Sequence, residues 1–119
     1  MMMTPTEHED HLALVEWANY HIICRRYLIH IENERQCTPA QGVMRKRKGV
    51  KKGVSDFFLA YPTGKHSGLW IELKRVKGGI VSPEQLDWLA RMADVGYKAV
   101  VAHGFEEARQ VIEDYLNER

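Results

Sequence analysis

Asp56 and the triplet Glu72-Leu73-Lys74, with fifteen residues between them, are the side chains of this sequence best suited to chemistry. Each sits in a run rich in strand formers: Ser55-Asp56-Phe57-Phe58-Leu59-Ala60-Tyr61 and Gly68-Leu69-Trp70-Ile71-Glu72-Leu73-Lys74. The intervening Pro62-Thr63-Gly64-Lys65-His66-Ser67 is rich in turn formers, so the two runs read as a β-hairpin. Alternation along a strand puts Glu72 and Lys74 on one face and Leu73 on the other. Charges inside an apolar strand are costly unless they are paired or hold a metal. Two carboxylates and an ammonium converging at the end of a hairpin predict a hard-cation site with a lysine facing the reacting group. That is hydrolytic chemistry.

Each of these residues also has a plainer explanation. Asp56 would serve as a turn or cap residue at a strand start, but aspartate is depleted in strands and this one leads into Phe57-Phe58-Leu59. Glu72, flanked by Trp70-Ile71 and Leu73, is harder to explain as packing, since a buried carboxylate needs a partner. Lys74 fits a structural ion pair as well as it fits a catalytic ammonium. Gln85 closes Ser82-Pro83-Glu84-Gln85 and Glu7 closes Thr4-Pro5-Thr6-Glu7, so both read equally as helix-capping residues.

The elements that must position this set follow from periodicity and punctuation. Thr4, Pro5 and Glu7 predict a first helix reaching about Tyr20, with Thr4 as N-cap. Tyr27–Ile31 reads as a short strand, and Thr38-Pro39 opens a short helix to about Met44. After the hairpin, a helix runs from Ser82 to Gly96, with Leu86, Leu89, Ala90 and Ala93 at helical spacing. Lys98–Ala102 reads as a buried strand, and Phe105, Ala108, Val111, Ile112, Tyr115 and Leu116 mark an amphipathic last helix. Strand–helix–strand from Trp70 to Val101 predicts a right-handed crossover and a parallel pair. The fold class is α/β, a mixed central sheet flanked by helices.

The 119 residues fit one domain, 1–119, with 45% apolar and 28% charged residues, as in soluble globular proteins. No apolar stretch reaches the roughly 20 residues that span a bilayer, and the N-terminus has no signal-peptide pattern. Two cysteines make no disulfide framework. The expectation is a protein of a reducing cytoplasm. His21, Cys24, His30 and Cys37 are too irregularly spaced for a structural zinc site; the other histidines read as ordinary surface or core residues. Net charge is only +1, yet Arg45, Lys46, Arg47, Lys48, Lys51 and Lys52 place six cations in eight residues just before Asp56. As a loop beside the site, this segment predicts a grip on the phosphates of a nucleic acid.

Asp56…Glu72-Leu73-Lys74 resembles the PD-(D/E)XK nuclease signature. Lys52-Gly53-Val54-Ser55-Asp56, Leu69-Trp70-Ile71-Glu72-Leu73-Lys74 and Ser82-Pro83-Glu84-Gln85 are similar to its VRR-NUC branch. That branch occurs as small standalone phage and bacterial proteins and as the nuclease domain of the Fanconi-associated repair nuclease. The resemblance runs from about Thr6 to Tyr115; Ser55 stands where the family often has proline, a difference of backbone shape rather than chemistry. It implies an αβββαβ restriction-endonuclease-like core. It also implies a Mg²⁺- or Mn²⁺-dependent DNA endonuclease. Few aromatics and no recognition-helix motif favour reading DNA shape, in branched DNA such as junctions or flaps, over base sequence, and the two-fold symmetry of a junction predicts a homodimer as the working unit. Asp56, Glu72 and the Leu73 carbonyl would hold the metal, and an all-oxygen set suits Mg²⁺. Lys74 and Gln85 would complete the catalytic set with an acid from the first helix, Glu7 ahead of Glu16, and Glu34 is a further candidate. A catalytically silent nucleic-acid-binding module on the same fold is the alternative; an RNA-directed nuclease is less favoured, since no RNP-like stacking platform is present.

Overall fold

A computed structural model describes residues 3–32 and 38–118. The elements run α1 (Glu7–Asn19), α2 (Cys24–Tyr27), β1 (Leu28–His30), α3 (Pro39–Arg47), β2 (Phe57–Leu59), β3 (Leu69–Lys74), α4 (Pro83–Asp94), β4 (Lys98–His103) and α5 (Phe105–Asn117). The strands form one sheet in the order β1-β2-β3-β4, antiparallel among the first three and parallel between β3 and β4. The expected hairpin forms with Phe57 opposite Ile71 and Leu59 opposite Leu69. The crossover through α4 returns the chain parallel to β3, as the sequence predicts. The short α2 has no clear signal in the sequence.

Alternation along the strands divides the sheet into two faces. One carries Phe57, Leu59, Leu69, Ile71, Leu73 and Ala102, which form the main core with Leu14 and Ala18 of α1 and Ala108, Ile112 and Tyr115 of α5. The other carries Phe58, Trp70, Glu72 and Lys74 and faces α4. Phe58 and Trp70, directly opposite in the ladder, stack at 4.3 Å between ring centroids, and Trp88 of α4 meets Trp70 edge-on at 5.3 Å. Strand β3 is thus covered on both faces, and Glu72 and Lys74 are buried with it. Lys98–Ala102, expected to be a buried strand, is largely half-buried, with only Ala102 enclosed. It lies at the edge of the sheet, with a single strand neighbour.

The helix ends correct the sequence reading in two places. The cap of α1 is Thr6 rather than Thr4: Thr6 Oγ1 accepts from Glu9 N at 3.0 Å and Glu9 Oε1 accepts from Thr6 N. Overlapping Thr-x-x-Glu frames exist here, and the later one closes, which puts Glu7 at the first helical position. The second correction concerns the basic segment. Helix α3 extends past Met44 to Arg47, so Arg45, Lys46 and Arg47 lie in its last turn rather than in a loop. Long unbranched side chains favour helix, and cations at a helix C-terminus complement its dipole. The helix stops at Gly49, whose φ of +90° only glycine adopts cheaply, with Gly49 N bonded to Lys46 O and Val50 N to Arg45 O, a Schellman closure.

Helix α5 begins at Gly104, which has no side chain to cap it, and Asp10 of α1 supplies the missing acceptor. Asp10 is buried, and its Oδ1 accepts from Phe105 N at 3.1 Å. The carboxylate also sits where the helix dipole favours negative charge. At the other end of α5, Tyr115 donates its hydroxyl to Tyr61 O at 2.7 Å, and Glu118 accepts from Thr63 Oγ1 and His66, tying α5 to the β2–β3 loop. Asp10→Ala is expected to lower stability by about 1–2 kcal/mol, the cost of a lost N-cap. Asp10→Asn, which keeps an acceptor, should recover part of it; urea unfolding of both variants measures the difference.

Candidate functional site

Asp56 lies one residue before β2 and is fixed from both sides. Its main-chain carbonyl accepts from Ile31 N at 2.7 Å and from His30 Nδ1 at 2.9 Å, which requires the His30 proton on Nδ1. Its side-chain Oδ2 accepts from Leu73 N at 2.9 Å. Here a carboxylate, not a strand carbonyl, takes the β3 amide, so β2 and β3 fork. Within a strand the amide and carbonyl of one residue point to the same side, so the Leu73 carbonyl also faces the fork.

Glu72 is 1% exposed, on the face of β3 that meets α4. Its Oε1 accepts from Gln85 Nε2 at 2.6 Å and lies 3.5 Å from Lys74 Nζ. Its Oε2 is buried without a hydrogen-bond partner among the described residues. Gln85 makes two contacts at once: its Oε1 closes the capping box by accepting from Ser82 N at 2.8 Å, while its amide nitrogen donates to Glu72. Burial pushes the Glu72 carboxyl from 4.5 up to about 7, with the Asp56 charge adding to the shift, Lys74 opposing it and Glu7 contributing least.

Glu7, Asp56 and Leu73 line one cleft of about 450 Å³, with His8, His11, Leu12, His30 and Glu32. Glu16, the other first-helix acid, is exposed and lines no part of it. Glu34 lies outside the described residues, as does Cys37. The imidazoles are the part that sequence reasoning passes over. His11 and His30 meet edge to face at 4.5 Å, and both pack on Phe57. Burial, then the charges of His30 and His8, hold His11 below its ordinary range. Only the i, i+3 spacing of His8 and His11 on one helix face hints at the grouping; His30 joins through the fold.

The basic segment is anchored to the site at Gly53. Its φ is +82°, and a Cβ there would stand 2.3 Å from the Glu84 carbonyl oxygen and 2.9 Å from Gln85 N. Only glycine lets the chain cross the first turn of α4 this closely. Lys51 and Lys52 therefore lead directly into the turn that carries Gln85 and, through it, Glu72.

The oxygen donors available are the Asp56 and Glu72 carboxylates and the Leu73 carbonyl. No group of three or more His, Cys, Asp or Glu side chains suited to a metal converges among the described residues. A set of hard oxygens with few protein ligands fits a cation such as Mg²⁺, which keeps waters, and does not fit zinc. The unpartnered Glu72 oxygen is the strongest structural mark of such a ligand, because a buried polar atom without a partner is costly.

The raised Glu72 value carries a sign that is measurable without metal. Between pH 4.5 and 7 the folded protein holds a proton that the unfolded chain releases, so this stability is complete below 4.5 and lost as pH rises through 7. In EDTA, Glu72→Gln should therefore gain stability relative to the parent protein between pH 5 and 8; denaturant unfolding at each pH reads the difference.

Residues 6–106 match the sequence model of the VRR-NUC domain. A solved structure described as a VRR_NUC domain protein superposes with a TM-score of 0.84, covering 97% of this chain and 91% of that one at 27% identity. No curated protein matches. The matched span runs from the Thr6 cap of α1, through the fork and Gln85, into the first turn of α5. This chain belongs to the VRR-NUC domain family, a nuclease-type family.

Proposed function

We propose that the protein is a single-domain, Mg²⁺- or Mn²⁺-dependent DNA endonuclease that works as a homodimer on branched DNA, such as junctions or flaps. Its setting would be replication, recombination or repair in a bacterial or phage-infected cytoplasm. No described helix is long and apolar enough to cross a membrane. The observation that carries the reading is the buried Glu72, with one oxygen unpartnered, set between Asp56 and Lys74 at the β2–β3 fork.

Asp56, Glu72 and the Leu73 carbonyl are the metal ligands in this reading. The bound cation supplies a more acidic water and charge neutralisation at the scissile phosphate. Lys74, kept close to Glu72, would donate to a non-bridging oxygen of the scissile phosphate, orienting it and offsetting the charge that develops there. Gln85 holds Glu72 by Oε1 and so leaves Oε2 for the ligand role. Glu7, on the cleft wall, adds an acid on the far side of the fork from Gln85. Arg45, Lys46, Arg47, Lys48, Lys51 and Lys52 take backbone phosphates, which position the substrate without reading its sequence.

Asp56→Asn, which keeps an oxygen for the Leu73 amide, and Glu72→Gln are expected to abolish Mg²⁺-dependent cleavage while DNA binding in EDTA persists. Lys74→Ala should cut the rate by about 10²–10⁴-fold, the range of a lost electrostatic or proton-handling group, with calorimetric Mg²⁺ affinity little changed. Full activity in either carboxylate variant would overturn the site.

The dimer follows from the substrate. Four-way junctions are two-fold symmetric, and paired incisions need two sites related by the same symmetry, which a C₂ dimer supplies. Light scattering at micromolar concentration is expected to give twice the 13.8 kDa chain mass. A monomer that stays monomeric on junction DNA would refute the dimer while leaving the nuclease standing.

A further inference from the structure

Helix α3 is amphipathic in the wrong sense for a helix packed on its own protein. At about 100° per residue, Ala40, Val43, Met44 and Arg47 form one stripe, and the opposite side carries Gly42 and Arg45. Gly42 and Arg45 are the half-buried positions, and every stripe residue is exposed, Val43 at 61% and Met44 at 45%. The apolar stripe therefore points away from the molecule. No residue of α3 is buried. A helix of nine residues is marginal in water without packing on something else. The Thr38–Gln41 capping box and Pro39 set its start, and the Schellman turn sets its end, but neither covers the stripe.

Charge selects the occupant. From Thr38 to Ser55 the chain holds six cations and no acid. Two copies pairing through this stripe would bring twelve cations together with nothing in the segment to offset them. A polyanion is the complementary surface. Its apolar members Ala40, Val43 and Met44 carry no hydrogen-bonding group with which to read base edges in the major groove, and Arg47, the stripe's one polar member, stands in the last turn beside the phosphate-holding Lys46 and Lys48. Small and flexible apolar side chains flanked by Arg and Lys match the way proteins contact the sugar walls and steps of the minor groove, where such wedges favour bent or distorted duplex.

We propose that α3 is a DNA-contacting arm: Ala40, Val43 and Met44 seat in the minor groove of the duplex beside the cut, while Arg47, Lys46 and Lys48 hold the phosphates along its edges. This rests on the nuclease reading of the fork and adds to it the contact that senses duplex shape. The Gly53 crossing over α4 couples the arm to the site, since a displaced arm shifts the chain that packs on Glu84 and Gln85.

The test separates the arm from the chemistry. Binding of duplex and four-way DNA is titrated in EDTA across a salt series, and hydrolysis of bis(p-nitrophenyl) phosphate with Mn²⁺ reads the active site alone. Val43→Ser combined with Met44→Ser should weaken DNA binding about tenfold, as expected for two partly buried apolar contacts, with an unchanged salt slope. Ala40→Glu, exposed on the same stripe, should weaken it as well. Lys46→Gln combined with Lys48→Gln should instead reduce the log–log salt slope by about 2 units. The stripe variants at Ala40, Val43 and Met44 should hydrolyse the small diester at the parental rate. Parental DNA affinity in both stripe variants would overturn the arm, as would a dimer-to-monomer change at unaltered affinity, which would make the stripe a self-pairing surface. A parent protein that hydrolyses no phosphodiester would remove the nuclease reading, and the arm with it.

Discussion

A carboxylate on the central strand, all but removed from water, is the constraint around which this molecule is arranged. Glu72 loses its hydration in the sheet interior, and burial raises its proton affinity until it titrates near neutrality. The surroundings compensate only one of its oxygens. Gln85 and Lys74 both address Oε1, and Oε2 is left without a partner among the described residues. A strand optimised for stability alone would place an apolar residue here, since a half-satisfied buried carboxylate is worse than none. The strain is understandable if another positive group completes the site, and it is the physical reason to read the fork as functional.

Several local devices serve that one residue. The capping box of α4 is an ordinary way to start a helix, but its glutamine faces inward and uses its spare amide on Glu72. The crossover that makes β4 parallel to β3 also brings the α4 N-terminus over the face of β3 that carries Glu72 and Lys74. Asp56 anchors its main chain at the end of β1, through His30 and the following Ile31, and its side chain in β3 through Leu73, so the fork width depends on three strands at once. On the opposite face, Asp10 caps α5 from α1 and locks the two helices that close the main core.

Much of this was legible in the sequence, for identifiable reasons. Asp56, Glu72 and Lys74 stand out because charge inside a strand pattern is a local contradiction, and such contradictions survive where function requires them. The order of strands and helices follows from periodicities that tertiary packing did not override. The α1 cap was misplaced because Thr4…Glu7 and Thr6…Glu9 satisfy the same pattern, and nothing local separates them. The extension of α3 was missed because a cation run reads as a solvated loop, although arginine and lysine are good helix formers. The grouping of His8 and His11 with His30 was invisible for a different reason: it exists only once β1 lies beside α1. The dual use of Gln85 needed the α4–β3 distance, which no spacing rule contains.

The near-zero net charge hides a division of labour. Asp56, Glu7 and Glu32 concentrate negative charge at the cleft beside the fork, next to a Glu72 that burial brings close to neutrality, while the Arg45–Lys52 segment concentrates positive charge on the neighbouring arm. Fields of exposed charges fade over about 8 Å at physiological ionic strength, so the two regions act locally rather than cancelling. A phosphodiester backbone would be attracted to the arm and repelled by the bare fork. In the proposed reaction, a divalent cation at the fork reverses that repulsion where the cut is made. In that proposal the arm would supply affinity independent of metal, and the fork would admit the scissile phosphate once its carboxylates are neutralised. The open oxygen of Glu72 and the outward face of α3 are, on this view, two halves of one electrostatic arrangement, joined by the short chain that Gly53 lets pass over the start of α4.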